Sequence, residues 1–297
     1  MSKGTLQALG TGDGWAGDER GHSAFVYRLG GGTLLLDCGE PVSRRLRAAG
    51  VAPDELDGIV LSHLHCDHVG GFFMLMQGFW LDKRTRDLTV HLPEEGREPV
   101  RRMLDAAYIF EELTAFNLNL TPIDGPFEVG GIRVTPHLTT HLAQLRDAFS
   151  EKYPAKFEAF SFMLETEAST VAHSADIGGL EDLEPLLQKP VDLLVCELAH
   201  VKPAVLFEYL ASQKIGRVAF THVSRPYREN FDELKAQAAV AKHAEFKGNV
   251  TFVGTKDFFR PKAESPTGQA YHWNTNAETY FLIGDGMGQA MKGLLGK

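Results

Sequence analysis

Short apolar runs bounded by glycine, proline or acidic residues recur along the chain, and most of them carry β-branched or aromatic side chains. They predict strands at residues 5–9, 23–29, 33–37, 58–62, 88–92, 128–135, 160–165, 170–173, 192–196, 217–221 and 249–253. Between many of these runs apolar residues return every three to four positions instead. That spacing predicts helices over 41–49, 94–116, 180–188, 203–214 and 230–244. Strands separated by helices argue for an α/β fold in which helices cover mixed β-sheets. Residues 71–81 are dense in large apolar groups and read as a buried helix face whose first residues could line an apolar pocket.

The run 58–62 leads into a segment of different character. His63-Leu-His65-Cys66-Asp67-His68 packs three imidazoles and a carboxylate into six residues where a strand gives way to a loop. Such loops carry active-site groups on a rigid scaffold. In extended backbone His63 and His65 project the same way, whereas Asp67 and His68 follow on a turning backbone and can face a second point. Imidazole and carboxylate donors suit zinc, iron or manganese, and histidine-rich sites most often hold zinc.

His63-x-His65-x-Asp67-His68 resembles the signature of the metallo-beta-lactamase superfamily of hydrolases. Further landmarks follow that family's order: Leu34-Leu-Leu-Asp37-Cys38-Gly39, Val134-Thr-Pro-His137-Leu-Thr-Thr-His141, Val171-Ala-His173-Ser-Ala-Asp176 and Val218-Ala-Phe-Thr-His222. The resemblance implies a four-layer αββα sandwich of two mixed β-sheets flanked by helices, with the site along one edge. It further implies two divalent metal ions. His63, His65 and His141 would hold one, Asp67, His68 and His222 the other, with Asp176 shared; Zn2+ is the first expectation, and Mn2+ and Fe2+ are alternatives. His137 lies four residues before His141 and competes with it, the family's spacing favouring His141. Asp37 and Glu197 are candidates for orienting ligand histidines through their second N–H. His173 reads as a core or supporting histidine, and His22, His91, His243 and His272 as structural or exposed. The glycine-rich Gly10-Thr-Gly-Asp-Gly14 is expected to wall the site.

Val195-Cys-Glu197-Leu-Ala-His200 and Thr221-His222-Val-Ser-Arg225 narrow the resemblance to the ribonuclease Z-like branch. By that likeness His200 is the general acid, or stabilises charge on a phosphoryl group. The sequence departs from the branch at Val201-Lys202, where a small hydroxyl residue is usual after the histidine. Asp67 doubles as ligand and proton acceptor. The long glycine- and proline-rich arm with which transfer-RNA-processing members grip RNA is not evident between His141 and Asp176.

Composition then restricts the partner. A formal net charge of −9 over 297 residues, without a dense Lys/Arg stripe, disfavours folded RNA and favours a small anionic ester. The clusters at Arg44-Arg45-Leu-Arg47, Lys83-Arg84-Thr-Arg86 and Arg101-Arg102 read as solvated faces, whereas Arg225 and Arg228 lie close enough to His222 to reach a substrate anion. Cys38, Cys66 and Cys196 cannot form a disulfide framework, which fits a reducing cytoplasm, and Cys66 is expected to be buried. No apolar signal segment follows Met1, and no run is long enough for a membrane span.

The expected organisation is a hydrolase domain over 1–255 and a C-terminal extension over 256–297 that packs on it, covers the site or pairs subunits into a homodimer. The expected function is a dinuclear metal-dependent hydrolase, a phosphodiesterase acting on a small phosphate ester through a metal-bound hydroxide. Two rivals share the site: a lactonase or carboxylic ester hydrolase, and a di-iron redox protein. The redox reading is disfavoured by His65, where oxygen-reactive relatives usually carry glutamate.

Overall fold

The computed structural model describes residues 4–15, 20–224, 253, 258–266 and 275–295. The chain divides into two compact units, Met1–Lys202 with Gln213–Arg225 and Pro203–Ser212 with Pro226–Lys297. This division does not coincide with a boundary at 255.

The first unit is built on two six-stranded mixed sheets. One runs in the order β1 (Thr5–Gly10), β2 (Ala24–Leu29), β3 (Gly32–Leu36), β4 (Gly58–Val60), β5 (Leu88–Leu92) and β6 (Leu118–Pro122). The other runs β12 (Val218–Val223), β11 (Leu193–Leu198), β10 (Thr170–His173), β9 (Phe160–Glu165), β8 (Ile132–Leu138) and β7 (Phe127–Val129). In the first sheet β3 to β6 are parallel, and in the second β10 to β12 are parallel. Helices flank the sheets, giving the expected α/β architecture.

Strand periodicity explains why both faces of the first sheet are apolar. On β2 and β3, Phe25, Tyr27, Leu34 and Leu36 point into a core shared with Ile132, Val134, Phe162, Leu164 and Val171 of the second sheet. Their neighbours Val26 and Leu35, with Ile59 of β4 and Val90 of β5, point the other way. There they meet Val42 and Leu46 of α1 (Val42–Ala48), Leu75, Met76 and Phe79 of α3 (Phe72–Leu81) and Val100 and Leu104 of α4 (Arg97–Ala106). Strands buried on both faces read as continuous apolar runs, which is how they stand out in the sequence.

Several elements differ from the sequence expectation. The helix expected over 94–116 stops at Ala106, because Tyr108 adopts a left-handed φ of 59°. A 3₁₀ turn at Glu111–Leu113 and the short edge strand β6 follow, whose Asn119 and Thr121 hide it from an apolar count. The strand expected over 128–135 is a hairpin, with Gly130 and Gly131 at φ 57° and 80° supplying the positive angles of a tight turn. The helix expected over 180–188 is reduced to a 3₁₀ turn at Leu180–Leu183, and α5 (Ala143–Phe149) forms where none was expected. The helix at 230–244 and the strand at 249–253 lie outside the described residues, Val253 apart. In the second unit a helix spans Ala277–Leu294, capped by the Asn276 side chain, which accepts the Thr279 N–H at 2.9 Å. Among the described residues no helix is long and apolar enough to cross a membrane.

Arg84 alone departs from the reading of its cluster as solvated, for Lys83 and Arg86 are exposed. Only 1% of Arg84 is exposed, and its guanidinium donates to the carbonyls of Arg86 (2.6 Å), Leu56 (3.0 Å), Asp87 (2.9 Å) and Pro53. It also lies 5.4 Å from the Phe79 ring and 5.7 Å from that of Phe116. The planar donor fork therefore satisfies loop carbonyls that would otherwise be buried without partners. Arg84→Met should remove those donors and destabilise the fold by about 3 kcal/mol, read as a lower midpoint in urea at an unchanged slope.

Candidate metal centre

The first sheet delivers the His-rich segment. Beyond β4 the ladder continues on both sides, Asp37 N–H donating to Val60 O at 2.8 Å and Leu61 N–H to His91 O at 2.8 Å. The ladder thus runs as far as Leu61, two residues before His63. At His65 the chain enters α2 (Cys66–Val69), a single turn that carries Asp67 and His68 away from the strand direction. This local geometry separates the two pairs of donors.

The second sheet brings the remainder. His141 lies in the turn after β8, and Asp176 follows β10 by way of Ala175, which has a left-handed φ of 45°. The two loops are tied together by Asp182, a buried residue that sequence reasoning did not single out. Its carboxylate accepts the N–H of Thr140 (2.9 Å), the hydroxyl of Thr140 (3.0 Å) and the N–H of Gly178 (2.7 Å). His222 occupies a bulge in β12: Glu197 pairs with Thr221 and Leu198 with Val223, so His222 is the extra residue. Its φ of 49° re-aims the side chain, and its N–H is held by Thr11 O at 3.1 Å.

Two groups of donor atoms, each within 4.8 Å of one another, hold the residues expected as ligands: His63, His65 and His141 in one, and Asp67, His68, Asp176 and His222 in the other; His200 falls in two further groups, with His141 and Asp176 and with Glu197 and His222. Asp176 stands between them. Its Oδ1 is 3.4 Å from His68 Nε2, while Oδ2 is 3.7 Å from His141 Nε2 and 3.6 Å from His222 Nε2. Within the groups, His141 Nε2 is 3.2 Å from His65 Nδ1, and His222 Nε2 is 3.1 Å from Asp67 Oδ2. His63 Nε2 and His68 Nε2 are buried without a hydrogen-bond partner. Unpartnered ring nitrogens facing carboxylates fit divalent cations, which would satisfy the nitrogens and neutralise the acids together.

Ionisation reflects this crowding. Burial pushes His63 well below its ordinary value and takes His141 down to about 4. For Asp67 burial acts upward, but the His222 hydrogen bond and the charge of His68 outweigh it and hold the carboxyl at about 2. Burial likewise disfavours the cation of His68, yet Asp176 and Asp37 override it and raise its pKa. A proton on His68 is thus what a bound cation would displace.

At the exposed side of Asp176 stands His200, its Nδ1 3.9 Å from Asp176 Oδ2 and 3.0 Å from Glu197 Oε1. Glu197 is buried, and its other oxygen accepts the backbone N–H groups of Ala199 and His200. One carboxylate therefore fixes both the turn and the ring. Asp37 orients His68, whose Nδ1 donates to its Oδ2 at 2.7 Å.

The other histidines sort themselves by position. His137 is half-buried on β8 and joins neither donor group, so the structure brings in His141 rather than His137. His173 receives the Tyr27 hydroxyl contact at 2.7 Å in the core, and burial lowers it to about 3. His91 stacks on Phe127 with ring centroids 3.7 Å apart, and His22 Nδ1 donates to Asp13 O at 2.8 Å. A Cβ on Gly14 would lie 3.5 Å from Asp67 Oδ2, so the glycine-rich loop does wall the site. Cys66, the first residue of α2, is exposed, contrary to expectation. Arg225, Arg228, His243 and His272 lie outside the described residues. His141→Ala should lower the number of metal ions bound after dialysis against zinc, whereas His137→Ala should leave it unchanged; metal analysis of both variants checks this.

Solved structures of low sequence identity share the fold. The metallo-beta-lactamase fold protein YhfI from Bacillus subtilis aligns with a TM-score of 0.63 at 18% identity, covering 80% of this chain and 91% of that one. The short form of human tRNase Z aligns at 0.58 and 19% over 74% and 93%, and the Zn(2+)-bound PqqB from Methylobacterium extorquens at 0.57 and 18% over 78% and 95%. The chain thus has the metallo-beta-lactamase fold. Among curated proteins, the ribonuclease Z of Nocardia farcinica is 26% identical over 226 residues, 72% of this chain and 70% of that protein. That of Archaeoglobus fulgidus is 32% identical over 138 residues, 46% of this chain and 44% of that protein. The match to the Methanococcus maripaludis ribonuclease Z, 34% identical, covers 35% of this chain and 33% of that protein, so the chain spans under half the length of several curated relatives it matches. The family model described as Anti-Pycsar protein Apyc1 matches residues 4–198, the stretch that holds both sheets up to β11 and every donor but His200 and His222. The chain belongs to the Anti-Pycsar protein Apyc1 family.

Proposed function

We propose that the centre holds two divalent cations and hydrolyses phosphodiesters, small phosphate esters first among them. His63, His65 and His141 would hold one cation, Asp67, His68 and His222 the other, and Asp176 both. The carrying observation is that the two donor groups meet on one buried carboxylate beside a half-exposed imidazole, His200, whose Nδ1 is engaged by Glu197 at 3.0 Å. Zinc is the favoured ion on donor chemistry, with manganese and iron as alternatives. When bound, the cations would supply Lewis acidity and lower the pKa of water.

The chain's own residues divide the proton work. Asp67, held at about 2, stays a carboxylate throughout the neutral range and can accept a proton from attacking water. For His200 burial acts downward, but the Glu197 hydrogen bond and charge, with Asp176, outweigh it and raise the pKa. With Nδ1 engaged by Glu197, Nε2 is the atom from which His200 gives a proton to a departing oxygen. A leaving group with a high pKa gains most from that proton, which favours an ester of an alcohol.

Support for a small substrate comes from the net charge of −9 and from the connection after His141, which holds only α5 before β9 begins at Phe160. The expectation that folded RNA is disfavoured is not borne out by the relatives, which are named ribonuclease Z. A solved neighbour titled as a new diphosphatase from the PhnP family aligns at a TM-score of 0.52 and 16% identity. Phosphate esters therefore stand ahead of lactones and carboxylic esters, and His65 weighs against the redox reading.

The test combines metal analysis with turnover of bis(p-nitrophenyl) phosphate, a structured RNA, a lactone and a carboxylic ester. About two ions per chain and cleavage of the diester are expected; cleavage of the RNA alone moves the substrate to RNA, and hydrolysis confined to carbonyl esters sinks the phosphodiesterase reading. His200→Ala should retain both ions and lose about 10²- to 10⁴-fold in turnover of a diester with an alcohol leaving group, and less with p-nitrophenolate. Acid catalysis requires the protonated ring, so activity falls as pH rises through the His200 pKa. Glu197→Gln removes the group that raises it, and the alkaline limb of the pH–rate profile should move to lower pH.

A further inference from the structure

We propose that Ser62 is a positioning residue that links the two halves of the metal centre by fixing the tautomer of His63. The inference rests on the metal-centre reading above. Ser62 is completely buried between β4 and the first ligand. Its N–H donates to Asp37 Oδ1 at 2.7 Å, and its Oγ lies 2.9 Å from Asp37 Oδ2 and 3.1 Å from His63 Nδ1.

The direction of each bond follows from the count of protons. A carboxylate offers only acceptors, so the single hydroxyl proton of Ser62 goes to Asp37. The contact with His63 must then run the other way, with His63 Nδ1–H donating to a lone pair of Oγ. Reversing it would set a hydroxyl lone pair against the carboxylate at 2.9 Å. His63 is thereby held in the Nδ1–H tautomer, which leaves a lone pair on Nε2, the buried nitrogen without a hydrogen-bond partner. At His68 the Nδ1–H is fixed by Asp37 directly, at 2.7 Å from Nδ1 to Oδ2. His63 belongs to one donor group and His68 to the other. A single Asp37–Ser62 unit therefore sets one ligand in each half of the centre.

The two halves differ in what they lose when the hydroxyl goes. Removing it takes from His68 only a 3.4 Å contact between Oγ and Nδ1 and leaves the 2.7 Å bond to Asp37 in place, whereas the His63 ring loses its Nδ1 partner and can then rotate or carry its proton on Nε2, where it would block a cation. Loss of such an outer partner typically costs 10- to 100-fold in metal affinity. The effect should fall on one cation of the two.

Two measurements on the full chain test this. Long-range 1H–15N spectra of the metal-free protein should show His63 as the Nδ1–H tautomer in the wild type and a shift toward Nε2–H in Ser62→Ala. Competition against a chromophoric chelator, using zinc alone, should show Ser62→Ala weakened about 10- to 100-fold for one ion and unchanged for the second, with Ser62→Thr restoring the first. Equal affinity of Ser62→Ala and wild type for both ions overturns the proposal. So does a wild-type His63 protonated on Nε2, a result that stands even where Ser62→Ala does not fold. A wild type that binds no zinc while His63 carries its proton on Nδ1 removes the metal-centre reading and leaves the tautomer assignment standing.

Discussion

Burial of the Asp176 carboxylate is the constraint on which the rest of the centre depends. The residue is 3% exposed and faces ring nitrogens of His68, His141, His200 and His222. An isolated buried carboxylate is expensive, and it persists only where positive charge or strong donors surround it. Here the compensation comes from the ends of separate strands and loops in two sheets. The sandwich must therefore close correctly for the charge to be tolerated, and the same closure assembles the donors.

Closure is accompanied by local strain. Asp37, Ala175 and His222 all adopt positive φ, at 61°, 45° and 49°, and none is glycine. Each such angle costs of the order of 1–3 kcal/mol and survives only where neighbours over-determine it. At Asp37 the backbone N–H is fixed by Val60 and the side chain by Ser62 and His68; at His222 the N–H is fixed by Thr11. The strain lies where strands hand over to ligand loops, so the rigid sheets hold the side chains in place of local propensity. Asp182 does the same between the His141 and Asp176 loops, at the level of hydrogen bonds.

This arrangement also explains the division of labour among carboxylates. Asp176 is hemmed in by imidazoles and serves the whole cluster, Asp37 sits behind it and accepts three hydrogen bonds, and Glu197 faces outward to hold His200. Their chemical identities are alike. In the proposed function, position alone would separate shared ligand, orienting group and partner of the acid.

Much of the fold and of the site was legible in the chain itself. Strands buried on both faces produce apolar runs, and the pairs His63/His65 and Asp67/His68 diverge because backbone geometry changes between them within a few residues. What remained hidden was set by partners distant in sequence. Arg84 looks like a surface charge until loop carbonyls surround it, β6 looks polar because it is an edge strand, and Ser62 looks like the end of a strand until Asp37 and His63 bracket its hydroxyl. The sequence by itself determined which residue types could bind metal and about where most of the strands that carry them lie, the hairpin of β7 and β8 excepted, because both are encoded in short-range spacing. Only the tertiary structure decided that His141 enters the cluster while His137 does not, that Asp182 ties two loops, and that the Ser62 hydroxyl meets both Asp37 and His63, because each depends on contacts between segments that only the closed sandwich brings together.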